Sequence, residues 1–184
     1  MFFKFEEGKP LAGMVLAASP SLLDPNFHQT LVFLAEHSAD GALGMVMNRP
    51  LGKKLGDVSA DDDLPEPMRN ILVFQGGPMK PTGLLLAHFQ RGENDEDLRC
   101  EVVTDPQEIV EPPKSGWVRA FAGYAGWGDG QLEAELRERA WLICRPHLAM
   151  LEDPVPSALW QAFINEDQRW RKLHCLLPKS TSLD

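Results

Sequence analysis

Apolar residues come in short runs punctuated by turn formers, and through most of the chain they alternate or cluster as strands do rather than recurring at helical spacing. Gly13 to Ala18 is small and apolar enough for a buried strand, closed by Ser19-Pro20-Ser21. In Asp24-Pro25-Asn26-Phe27, Asp24 can cap a single helical turn, Pro25 fits its first position, where a missing N–H loses nothing, and Phe27 points inward. Thr30 to Ala35, rich in β-branched and aromatic residues, is a strand. Ser38-Ala39-Asp40-Gly41 supplies hairpin chemistry, its Asp-Gly pair tolerating positive φ, and Ala42 to Met47 returns as the partner strand. Pro50 cannot donate to a central ladder and biases Arg49 toward an extended backbone, so Arg49 stands at a strand end.

After a short helix near Leu55 and an acidic loop from Asp57 to Glu66, Ile71 to Phe74 reads as a strand stopped by Gly76-Gly77-Pro78. Leu84 to Phe89 is another, and Arg99 to Val103 alternates as a strand with one wet face. Pro106, Pro112 and Pro113 mark an irregular connection before the strand Trp117 to Phe121. Gly123 to Gly130 is a glycine-dense loop, Gln131 to Arg139 a helix with Leu132 and Leu136 on one face, and Trp141 to Cys144 a strand. From Asp153 the pattern turns helical, with Leu159, Trp160, Phe163, Ile164 and Trp170 at helical spacing. Leu176-Leu177-Pro178 reads as a last short strand and the tail from Lys179 as loose. Strands first and helices late, without βαβ alternation, predict an α+β fold: one domain over residues 1–184 with its core at about 11–178.

Charge narrows the partners. Lys plus Arg is 18 against 27 Asp plus Glu, a net charge of −9, so long-range steering opposes polyanions and nucleic-acid binding is disfavoured. The three cysteines, Cys100, Cys144 and Cys175, are odd in number and contain no C-x-x-C pair, which suits a reducing compartment. No apolar stretch approaches the roughly 20 residues that span a bilayer, and no signal-peptide pattern follows Met1, so a cytoplasmic location is expected.

Recognisable chemistry is sparse. The five histidines lack zinc-ligand spacing, and no metal or cofactor is expected. Ser19 lacks the glycines of a nucleophile elbow. Gly126-Trp127-Gly128-Asp129-Gly130 lacks the Lys-Ser/Thr pair of a phosphate loop, and Asp129 would repel phosphate; a tight turn anchored by Tyr124 and Trp127, serving as a pocket wall, is the simpler reading. Arg49, fixed between Asn48 and Pro50, could hold a carboxylate or phosphate bidentately, or could satisfy carbonyls or an internal carboxylate such as Asp24.

Taken in order, Asp24-Pro25-Asn26-Phe27, the run from Gly41 to Leu51, Gly76-Gly77-Pro78 and the run from Gly123 to Glu133 resemble the YqgE/AlgH family of bacterial proteins, over about Leu11 to Pro178. The resemblance implies a compact α+β domain whose branched, mostly antiparallel sheet includes a small closed barrel packed by helices. It carries no established activity; one branch of the family is labelled a transcriptional regulator through an association with alginate production. Its motifs fall on Asp24, Asn26, Phe27, Asn48, Arg49, Pro50, Gly76, Gly77, Pro78, Tyr124, Trp127, Gln131 and Glu133. Three readings compete. In the first, Asn48, Arg49, Gly76, Gly77, Tyr124 and Trp127 converge on a groove of a non-catalytic binding or regulatory module for a small anionic ligand or a protein partner. In the second, His37, His88 or Glu133 supplies acid/base chemistry with Arg49 stabilising an anion. The third is direct DNA binding, which predicts steep salt dependence.

Overall fold

Strand β2 (Val15–Ala18) is buried along its whole length, which requires cover on both faces of its sheet. The computed structural model, which describes residues 2–59, 64–80, 83–92, 98–103, 116–146 and 158–165, shows where that cover comes from. One sheet runs β1 (Phe2–Phe3), β11 (Trp141–Cys144), β2, β3 (Leu31–Ser38), β4 (Gly41–Val46), β10 (Ala125–Trp127), antiparallel throughout. The second runs β5 (Pro50–Lys54), β6 (Leu72–Gln75), β9 (Trp117–Ala122), β7 (Leu85–Arg91), β8 (Leu98–Val103), with β6 and β9 parallel and the other pairs antiparallel.

Three apolar clusters bind these layers. Between the sheets, Val15, Phe33, Met45 and Met47 meet Phe74, Ala87, Phe89 and Phe121, joined by Leu159, Trp160 and Ile164 of a helix over 158–165. Phe33 and Phe89 meet edge to face at 5.3 Å, an arrangement aromatic rings prefer. On the far side of the first sheet, Leu16, Val32, Leu34 and Ile143 pack with Leu132 and Leu136 of α3 (Gln131–Arg137). On the far side of the second, Val73, Leu86 and Ala120 pack with Leu55 of α1 (Leu55–Val58) and Met68 of α2 (Glu66–Arg69). The order helix, sheet, sheet, helices is a mixed α+β architecture.

Several expectations change. Among the described residues the sheets form no closed barrel; each keeps two end strands, and their apolar faces are covered by one another and by helices rather than by curling into a barrel. The hairpin at Ser38–Gly41 forms as predicted, but β3 continues beyond Ala35 across a bulge between Leu34 and Glu36. The preceding strand already ends at Val46, and Pro50 opens another: β5 is an exposed edge strand, where a proline at the first position removes no needed donor. The glycine-dense loop contains β10, because Ala125 and Trp127 point inward while Gly126 faces out. The short pieces β1 and α2 were not predicted either. Of the late helix only 158–165 falls within the described residues, while Pro106, Pro112, Pro113, Trp170 and the segment Leu176-Leu177-Pro178 lie outside them.

Candidate functional site

Asn48 and Arg49 stand where the chain leaves β4 and crosses to the second sheet. Asn48 is buried, and its side chain faces back along the chain: Oδ1 accepts the Leu31 N–H at 2.9 Å and Nδ2 donates to the Gln29 carbonyl at 2.9 Å. Arg49 continues the same task. Its Nη1 donates to the Asn26 carbonyl at 2.7 Å, and its Nη2 to the carbonyls of Pro25 at 3.2 Å and His28 at 3.0 Å. Partial burial pulls the guanidinium below its usual range, and the charge of Asp24 acts against this.

The segment so held is the predicted turn. Asp24 Oδ1 accepts the Asn26 N–H at 2.7 Å, and the Asp24 carbonyl accepts the Phe27 and His28 N–H groups at 3.0 and 2.7 Å. Phe27 then enters an aromatic trio, stacked on Trp127 at 6.3 Å and edge-on to Trp141 at 5.4 Å, with the two indoles 5.9 Å apart. Their polar ends converge on one carboxylate that the sequence did not single out as a site residue. Glu135 Oε2 accepts Trp127 Nε1–H at 2.9 Å and Trp141 Nε1–H at 2.7 Å, while Gln131 donates to Oε1 at 3.0 Å and accepts the Gly128 N–H at 3.1 Å.

Gly76-Gly77 and Gly123-Tyr124 cross at backbone contact. Gly76 N–H donates to the Ala122 carbonyl at 3.0 Å, and Met79 and Tyr124 exchange two hydrogen bonds of 3.0 Å just beyond Pro78. Gly123 has φ +87°, and a Cβ on it would run into the carbonyl oxygens of Gly77 and Met79. Arg49 touches this crossing through its backbone alone, its carbonyl accepting the Gln75 N–H at 2.8 Å. The sequence residues therefore divide into a glycine crossing and a clamp on the 24–29 turn, and the bonded donors of Arg49 belong to the clamp.

Acid/base candidates follow the same pattern. His37, on β3, lies 2.8 Å from Glu133 on α3, a pair separated by 96 positions. The Leu11 N–H donates to His37 Nδ1 at 3.0 Å, so Nδ1 carries the lone pair and Nε2–H donates to Glu133 Oε1. Both ring nitrogens are thus engaged. Burial works to raise the Glu133 pKa, but its own backbone N–H, His37 and the charge of Arg137 outweigh it and hold the carboxyl below its usual range. His88 sits partly buried on β7, beside Gln90 at 3.2 Å, away from this pair in the sheet order.

A lowered folded-state pKa means that this carboxylate stabilises the fold above its unfolded value and loses that contribution as pH falls through the folded one. The acid unfolding midpoint of Glu133→Gln should therefore move toward neutral pH, with a shallower stability loss below the ordinary glutamate range. A Glu133→Gln curve superimposed on wild type in an acid titration followed by circular dichroism would contradict this. A second expectation concerns Cys100, whose thiol is pushed up to about 12 by burial and the neighbouring Glu101 charge. Its alkylation in the native protein should be far slower than in urea, read by peptide mass mapping, because the thiolate is the nucleophile.

A depression of about 520 Å³ opens beside His37, lined by Ala12, Glu36, Asp40, Leu43 and Trp127 among others. Its two exposed carboxylates oppose an anion. Among the described residues, no cluster of three or more His, Cys, Asp or Glu is arranged to hold a metal, and no helix is long and apolar enough to cross a membrane.

This geometry has close counterparts. The family model described as AlgH-like matches residues 15–169. The chain belongs to the AlgH-like family. A UPF0301 protein of Streptomyces coelicolor is 34% identical over 192 aligned residues, covering 97% of both chains. One of Xanthomonas oryzae is 37% identical over 163, covering 83% of this chain and 86% of its own. Among solved structures, the AlgH protein of Pseudomonas aeruginosa superimposes with a TM-score of 0.67 at 28% identity, covering 97% of this chain and all 100% of that one. A Corynebacterium diphtheriae protein shares the fold, with a TM-score of 0.60 at 22% identity over 85% of this chain and 94% of that one.

Proposed function

We propose that this AlgH-like chain is a cytoplasmic, non-catalytic binding module for a small anionic ligand. The observation that carries the reading is the complete engagement of the His37 ring, an acid/base candidate that pairs with the motif residue Glu133, between a backbone N–H and that carboxylate. Asn48, Arg49, Gln131 and Glu135 are bonded within the fold in the same way. Such an arrangement supports a rigid scaffold that presents a surface, whereas a general base needs a lone pair directed at substrate. The net charge of −9 favours a small ligand reached through one local cation over a polyanion such as DNA.

The test is thermal unfolding with nucleotides, phosphorylated metabolites and carboxylic acids, with the ligand followed by NMR in the same samples. A ligand at 100 times its dissociation constant adds about 2.7 kcal/mol and raises the midpoint by several degrees. The expected result is such a rise with the ligand chemically unchanged. Turnover of a stabilising ligand, or flat midpoints throughout the panel, would overturn the reading. The Arg49 role is checked alongside: without any ligand, Arg49→Ala should lose about 1–3 kcal/mol as the turn carbonyls lose a charged donor. Arg49→Lys should restore only part of that, because one ammonium cannot reproduce the fork.

A further inference from the structure

Arg119 lies in β9, the central strand of the second sheet, and is only 6% exposed. It pairs with Ala87 while Leu85 pairs with Phe121 and Phe89 with Trp117, so alternation places its side chain on the face that meets the first sheet. A guanidinium in such a core is ordinarily matched by a carboxylate, because an unpaired buried charge is costly. Arg119 has no such match among the described residues. Its Nη1 donates to the Met47 carbonyl at 3.2 Å, and its Cζ stands 4.4 Å from the centroid of the Phe74 ring. Burial alone pushes it down to about 10, with no neighbouring charge of either sign acting on it.

The remaining donors have a definite geometry. With Nη1 held by Met47, the edge formed by Nε–H and Nη2–H carries two parallel donors, the side-on fork that matches the two oxygens of a carboxylate. Among the described residues, every fully buried side-chain nitrogen or oxygen has a hydrogen-bond partner. Nε and Nη2 donate to no described residue, so both lie where a water-sized group can reach them. The fork lies beside the Phe74 ring and the Met47 backbone.

We propose that Arg119 is the anion-holding residue of the module, its Nε/Nη2 edge receiving the carboxylate of a small monocarboxylic acid whose apolar body lies against the seam between the sheets. This rests on the binding-module reading and names the chemistry of its ligand. One planar charge fits one guanidinium without a second cation, and the aromatic wall favours an aliphatic or aryl body over a phosphate, which would carry further charge into an apolar surround.

The experiment titrates wild-type protein with hexanoate, benzoate, acetate and inorganic phosphate at ionic strength balanced with chloride. The ¹⁵N resonance of Arg119 Nε, identified by its loss in Arg119→Lys, reports the fork, and thermal unfolding reports affinity. Hexanoate and benzoate should shift that resonance saturably and raise the midpoint, acetate should do so more weakly, and phosphate should leave both unmoved. Arg119→Met should weaken hexanoate binding by roughly 10–100-fold, the range for loss of a charged hydrogen bond. If Arg119→Met does not fold, the wild-type titration decides by itself. An unmoved Arg119 resonance with every carboxylate, equal hexanoate affinity in a folded Arg119→Met, or a preference for phosphate would each overturn the proposal. The two readings fail separately: a panel ligand that stabilises the protein while leaving Arg119 unmoved sinks this assignment and spares the module. Turnover of a carboxylate bound at Arg119 does the reverse.

Discussion

Gly123→Ala should lower stability by about 2–5 kcal/mol, combining the roughly 1–2 kcal/mol of left-handed backbone with overpacking of about 1–3 kcal/mol. For a domain of this size, that is a fall of roughly 10 °C in midpoint. The reason is local and backbone-made: at φ +87° a Cβ would meet the carbonyl oxygens of Gly77 and Met79. The Met79 carbonyl is held in place, because Met79 and Tyr124 are tied by two reciprocal hydrogen bonds. Gly52 is the control, with φ +66° and nothing within 4 Å of its would-be Cβ. Gly52→Ala should lose about 1–2 kcal/mol, the conformational part alone. Denaturant melts of the two variants check the comparison, and equal losses would show that the crossing of the two glycine segments is looser than described.

Glu135→Ala should be the most damaging side-chain deletion at the site, about 2–4 kcal/mol, since one carboxylate oxygen serves two indole N–H groups and the other serves Gln131. Removing it leaves the Trp127 and Trp141 donors without an acceptor beneath an aromatic trio whose third member, Phe27, docks the 24–29 turn. The near-ultraviolet circular dichroism of the tryptophans should change with it. Glu135→Gln keeps an amide oxygen that can face the indoles and should lose less than half as much. A Glu135→Ala midpoint within a degree of wild type, measured by thermal unfolding, would refute the shared-acceptor role.

The same elements explain what the sequence disclosed. The hairpin β3–β4 was readable because alternation, β-branched content and Asp40-Gly41 all agree, and such agreement across levels marks a robust element. Strand β10 was not, because its Ala125-Gly126-Trp127 sits among glycines whose usual meaning is a loop; tertiary pairing with β4 decides it. Pro50 read as a break, which hid the edge strand it begins. The barrel implied by family resemblance gave way to two open sheets because each sheet finds its cover in the other.

For the site, residue identity was more legible than role. Asn48, Arg49, Phe27, Trp127, Gln131 and Glu133 do cluster into bonded groups, yet bonding partners far away in sequence, such as His37 for Glu133, carry no spacing signal. Arg49 was open between ligand and carbonyls, and only the placement of the Pro25, Asn26 and His28 oxygens resolves its bonded donors toward the turn. Arg119 was invisible, because a lone arginine within a strand reads as a wet-face residue until the second face is seen to be covered as well.

The strand order also governs when the protein can fold. β2 needs β11 as a neighbour, β4 needs β10, and β6 needs β9, and all three partners come from residues 117–144. A nascent chain released only as far as Arg91 can close the β2–β3–β4 meander and the β5–β6 pair, while edges of β2, β4 and β6 and both edges of β7 still wait for their neighbours. Both sheets then complete together once the last third leaves the ribosome, through pairings of long sequence separation that form slowly. Until that moment the open edges of β2, β4, β6 and β7 are the chain's exposure to misassociation, so its yield in the cell depends on what shields them during synthesis.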